Sequence, residues 1–158
     1  LPQFFFDTSS FVKRYHEELG ADQVARVFET AGSVFQLSNL GILEAQSAFS
    51  MNVRTGEISL AQANSVNAGI LRDVADNLVT VLTIEPRHFE AASVIISKYG
   101  FQRRMRTLDA LQLAVALDLR SKNLLDVFVV ADRLLAEIGA LEGLSGLNPE
   151  DNPGSPSV

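Results

Sequence analysis

Four acidic residues stand where a lone charge is hard to explain: Asp7, Glu44, Asp109 and Asp132. Asp7 follows Phe4-Phe5-Phe6 and Asp132 follows Phe128-Val129-Val130-Ala131, so each closes an apolar, strand-like run. In an open parallel sheet, the carboxyl edge of the strands is where ligands bind. Each Asp alone reads as well as a helix N-cap. Two of them on one sheet edge point to a shared site. Asp109 lies in the stretch Leu108 to Leu119, where only Asp109, Gln112 and Asp118 interrupt an apolar run. Such a helix is buried on most sides, and an unpaired charge buried with it costs several kcal/mol. A first-turn Asp gains only about 0.3–1 kcal/mol from the helix dipole. At about 100° per residue, Gln112 shares the face of Asp109 while Asp118 points away. Glu44 has Leu40, Gly41, Ser47 and Ala48 as its helical neighbours, so no Lys or Arg stands ready to pair with it.

Carboxylates gathered in one cleft repel each other and partly protonate unless a cation neutralises them. The chain has no Cys, which excludes disulfides, thiolate metal sites and cysteine nucleophiles. Its two His, His16 and His88, are far apart, against a histidine-rich zinc centre. Ligands that are all oxygen select hard cations, Mg²⁺ or Mn²⁺. Mg²⁺ can polarise a phosphate and activate water for in-line attack, so no side-chain nucleophile is needed. The expected chemistry is metal-assisted phosphodiester hydrolysis, with Asp7, Glu44, Asp109 and Asp132 as metal ligands and catalytic residues.

The elements that must position these acids alternate between short β-branched or aromatic runs and longer helical stretches, which predicts a parallel sheet with crossover helices. Strands are predicted at Phe4–Phe6, Val34–Leu37, Val79–Ile84 and Val127–Ala131, with a short edge strand at Leu144–Leu147. Helices are predicted over Thr8–Leu19, Ala21–Ala31, Leu40–Arg54, Ser59–Asn77, Arg87–Tyr99, Thr107–Ser121 and Asp132–Leu141. Ser38 or Asn39 and Thr107 supply N-caps, and Gly20 and Gly100 supply stops. The reading is one domain over residues 1–148 and a flexible, Pro- and Gly-containing tail over 149–158. At 158 residues, with 47% hydrophobic and 20% charged, the chain is large enough to bury a core unaided. No signal peptide or membrane span is visible, and the expected location is the cytoplasm. A net charge of −6 argues against a broad basic surface for duplex DNA, but not against a nucleic-acid enzyme with acids concentrated in a metal site.

The run Phe6-Asp7-Thr8-Ser9-Ser10, followed by Lys13-Arg14-Tyr15 and Glu17-Glu18, resembles the opening of PIN-domain proteins. So do Glu44, the run Leu108-Asp109-Ala110-Leu111-Gln112-Leu113-Ala114, and Val129-Val130-Ala131-Asp132-Arg133-Leu134. The nearest group is the VapC toxins of type II toxin–antitoxin systems, and the resemblance runs over residues 4–149. It implies an α/β/α sandwich with a mostly parallel central sheet and Mg²⁺- or Mn²⁺-dependent endoribonuclease activity on structured RNA such as tRNA or ribosomal RNA. It further implies a homodimer and a cognate antitoxin that covers the active-site groove. The family's acidic quartet falls on Asp7, Glu44, Asp109 and Asp132. Val130 departs from the pattern, since many relatives carry Thr or Ser there. Arg103, Arg104 and Arg106 are candidates for RNA phosphate or antitoxin contacts, with a solvated loop as the plain alternative.

Other strand-end aspartates fit less well. A dehalogenase-type phosphatase needs a second Asp where Ser9 stands, a receiver domain needs an acidic neighbour to Asp7, and a dinucleotide fold needs a glycine-rich turn. The competing reading is a PIN-like module that binds RNA or protein without cutting. Retention of all four acids argues against it.

Overall fold

The computed structural model describes residues 1–151. The elements in order are β1 (Gln3–Phe6), α1 (Thr8–Phe11), a 3-10 turn (Val12–Arg14), α2 (Ala21–Phe28) and β2 (Val34–Ser38). There follow α3 (Asn39–Arg54), α4 (Leu60–Ala75), β3 (Val79–Leu82), α5 (Pro86–Tyr99) and α6 (Thr107–Ser121). The last three are β4 (Val127–Val129), α7 (Arg133–Leu141) and β5 (Gly146–Leu147). The strands pair parallel throughout, in the order β3-β2-β1-β4-β5. The winding direction therefore reverses at β1, and the crevice of such a sheet opens between β1 and β4 at their carboxyl ends.

Alternation along the strands feeds two cores. Phe4 and Phe6 join Phe35, Leu37 and Val129 under α2, α3 and α4, against Val24, Phe49 and Ile70. Phe5 faces the other way, with Phe128 and Val130, against Ile95, Leu113 and Leu135 of α5, α6 and α7. The result is the expected three-layer α/β/α sandwich. Phe6 is fully buried and its ring lies 5.3 Å from Phe28 and 6.2 Å from Phe11. Burial of such a ring contributes about 1.5–3 kcal/mol, so the strand end that precedes Asp7 is firmly fixed.

Helix ends follow local chemistry. Ser38 caps α3 through Gly41 N–H, and Ser59 with Gln62 forms a capping box on α4. Three expectations need correcting. The helix expected over Thr8–Leu19 stops at Arg14, because the next residues turn to meet distant partners: Arg14 and Tyr15 reach Asp73 on α4. Thr107 does not cap α6; Arg106 occupies that position and makes no side-chain cap bond. The tail expected from residue 149 is anchored at its start. Glu150 accepts from the buried Lys13 at 2.8 Å, and a Cβ on Gly20 would lie 2.7 Å from the Pro149 carbonyl oxygen. The rest of that stretch, 152–158, lies outside the described residues.

Candidate active site

Asp7 leaves β1 and caps α1 in one step. Its backbone is extended, its Oδ1 accepts from Ser10 N–H at 2.9 Å, and its Oδ2 accepts from the Ser9 hydroxyl at 2.5 Å. The carboxyl is buried. Burial raises its pKa, while hydrogen bonds from Ser9, Ser10 and Ala131 oppose the rise. Asp132 repeats the arrangement after β4, its Oδ1 accepting from Leu135 N–H at 2.8 Å at the head of α7. Because Phe6 pairs with Val129, the two strand ends lie side by side. Each Asp caps its helix and also lines the same cleft.

Asp109 sits in the first turn of α6, ahead of the buried run Ala110–Ala116. No hydrogen bond reaches its carboxyl among the described residues. Burial, and then the charge of Asp132, push its pKa up to about 6. Arg106 opposes this, while Glu44 and Asp7 add to it. Three acids, from two other helix starts and one helix interior, thus act electrostatically on Asp109. Glu44, in the second turn of α3, is half-buried, and its Oε1 accepts from Thr8 Oγ1 at 2.9 Å and from Gln112 Nε2 at 3.0 Å.

The four acids, with Thr8, Ser9, Val12, Ala48, Arg106 and Gln112, line one cleft of ≈ 260 Å³. Larger concavities lie between α3 and α4 (≈ 430 Å³) and along α3 beside Leu43 and Met51 (≈ 480 Å³). Their ionisable lining is limited to Arg54 and Glu44, so the acidic side chains converge on the smaller cleft. Among the described residues no three His, Asp or Glu side chains are grouped as a ready-made ligand set. Mg²⁺ keeps several waters and is usually bound directly by one or two carboxylates, so more widely spaced acids could hold it through those waters. The all-oxygen donors and the raised pKa of Asp7 and of Asp109, each disfavouring the bare carboxylate, fit a hard divalent ion.

Of the three arginines, only Arg106 lines the cleft. Arg103 is ion-paired with Glu137 of α7, and Arg104 is exposed outside the lining. Val130 is fully buried in the core with Phe128 and also lies outside the cleft, so its methyls are a matter of packing. The sequence reading gave no role to Thr8, Ser9 or Gln112. Gln112 carried a signal, since an amide inside the apolar run of a helix buried on most sides must find partners.

No protein-family model matches the sequence, and no curated protein matches it. Solved structures do. VapC20 from Mycobacterium tuberculosis, a Sarcin-Ricin loop cleaving toxin, superposes with a TM-score of 0.65 at 18% identity, over 95% of this chain and 99% of that one. The chain has a PIN-like fold. VapBC2 from Rickettsia felis, solved on a DNA fragment from its promoter, gives 0.61 at 12% identity, over 92% and 98%. A domain of a functionally unknown protein from Methanocaldococcus jannaschii gives 0.56 at 11%, over 100% and 98%. At these identities the likeness is one of fold, and its coverage makes the PIN-like unit account for nearly the whole chain.

Proposed function

We propose that this protein is a Mg²⁺- or Mn²⁺-dependent endoribonuclease acting as the toxin of a toxin–antitoxin pair. The observation that carries the reading is Asp109, a half-buried acid without a hydrogen-bond donor, pushed to about 6 by burial and by Asp132. An acid kept so near its neighbours destabilises the apo fold, and a divalent cation removes that cost. Asp7, Glu44, Asp109 and Asp132 would hold the ion. Once bound, it would polarise a phosphodiester and activate water for in-line attack. The chain's own residues prepare the ground. Ser9 and Ser10 fix both oxygens of Asp7, Thr8 and Gln112 fix one oxygen of Glu44, and Arg106 stands at the start of α6, where the helix dipole also favours a phosphate.

The fold likeness to a Sarcin-Ricin loop cleaving toxin supports structured RNA as the substrate class, and the family resemblance adds tRNA to ribosomal RNA. The likeness to VapBC2 supports a cognate antitoxin as partner. A cytoplasmic homodimer completes the reading, and no described helix is long and apolar enough to cross a membrane. The test is incubation of the purified chain with ribosomal RNA and tRNA, with Mn²⁺ or with EDTA. Wild type should cut only with metal, and Asp7→Asn and Asp109→Asn should not cut at all. Expressed without an antitoxin, wild type should slow growth and both variants should not. RNA binding with no cleavage under any metal would instead favour the inert PIN-like module.

A further inference from the structure

Gln112 is 2% exposed at the centre of α6 and joins four elements that meet behind the cleft. Its Oε1 accepts from Ser38 Oγ at 2.9 Å, where β2 gives way to α3. Its Nε2 donates to Glu44 Oε1 at 3.0 Å and to Thr8 Oγ1 at 3.2 Å. Thr8 Oγ1 donates in turn to Glu44 Oε1 at 2.9 Å. The direction of these bonds is dictated at both ends. Gly41 N–H can only donate, and it donates to Ser38 Oγ at 3.1 Å, which leaves the Ser38 hydrogen for Gln112. An ionised Glu44 can only accept, so it requires the amide nitrogen and not the amide oxygen. A flipped Gln112 would set its oxygen against a carboxylate and would leave the Ser38 hydrogen without an acceptor.

We propose that Gln112, its amide oriented by Ser38, is the positioning residue that saturates Glu44 Oε1 and so commits Oε2 to the cleft. The inference rests on the reading of Glu44 as part of a metal-binding acidic site. Glu44 Oε2 has no partner among the described residues, while Oε1 carries two donors. A carboxylate on a flexible two-carbon stem would otherwise turn among several rotamers; two donors on one oxygen remove that freedom. Gly41 permits the close assembly, since a Cβ there would lie 2.6 Å from Leu37 Cδ1 and 3.4 Å from Thr8 Oγ1.

Gln112→Met keeps the volume and removes every donor, and Ser38→Ala removes only what orients the amide. Two measurements decide. In metal-free buffer, unfolding constants for Gln112→Met, Glu44→Gln and the double variant should be non-additive by about threefold or more, as expected for residues in contact. In Mn²⁺ titrations followed by thermal melting, Gln112→Met should move the midpoint to about tenfold higher metal, and Ser38→Ala should move it the same way by less. If Gln112→Met does not fold, Ser38→Ala alone carries the metal test. Additive unfolding effects, or unchanged Mn²⁺ midpoints beside a responsive wild type, overturn the role of Gln112 and leave the metal site standing. A wild type whose melting ignores Mn²⁺ overturns the metal reading itself, and this inference with it.

Discussion

At the scale of single residues, Asp109 concentrates the conflict between folding and function. Its pKa is pushed from 3.8 to about 6 by burial, then by Asp132, against the pull of Arg106. Between those pH values the folded chain holds a proton that the unfolded chain has released, so stability falls as pH rises through the window. Without metal, Asp109→Asn should therefore melt with wild type below about pH 4 and a few degrees above it at pH 7–8. Mn²⁺ at a hundred times its dissociation constant should return about 2.7 kcal/mol to wild type and much less to the variant. A melting difference that ignores pH would mean that the Asp109 charge is not strained. The sequence made Asp7, Asp109 and Asp132 legible because each interrupts or closes an apolar run, and Glu44 because no Lys or Arg stands beside it. It hid their supports. Gln112 needs Ser38, Thr8 and Glu44 around it, and three separate elements supply them.

At the scale of elements, what was legible depends on whether a segment's partners are local. β1 and α6 follow from apolar patterning, and α4 from Ser59 and Gln62 three residues apart. The break after Arg14 does not, because its causes lie far away in sequence: Asp73 for Arg14 and Tyr15, and Glu150 for Lys13. That last contact ties the far end of the described chain to the turn that follows Asp7, while Asn148 Nδ2 donates to Ala131 O beside Asp132. Residues 148–150 thus strap both acid-bearing loops. Lys13 is almost wholly buried, with Glu18 at 3.2 Å as its second partner. Losing one partner of a fully buried pair costs ~3–5 kcal/mol. Glu150 is about a third exposed, so Glu150→Ala should cost about 1–2 kcal/mol in chemical denaturation. Lys13→Met should cost less than Lys13→Ala, since an apolar isostere removes the charge and keeps the packing. Equal losses for the two Lys13 variants would assign the contact to charge alone.

At the scale of the whole molecule, a net charge of −6 and an acidic cleft must still admit a polyanion. Within the cleft lining, Arg106 is the cationic side chain that can meet it, and it also moderates Asp109. Arg103 lies in the same loop but is bound to Glu137, so its charge is largely spent within the fold. The two arginines should then separate cleanly in a binding experiment. Binding to single-stranded RNA releases counterions, and each phosphate contact contributes about 0.7 to the slope of log affinity against log salt. Arg106→Ala should lower that slope by about 0.7 and weaken binding at low salt most. Arg103→Ala should leave the slope at its wild-type value and instead reduce stability by up to about 1 kcal/mol, the usual worth of a surface ion pair. Binding measured across a salt series, with the unfolding curves of both variants, checks the assignment. If Arg103→Ala flattens the slope and Arg106→Ala does not, RNA enters along α7 and not over the start of α6.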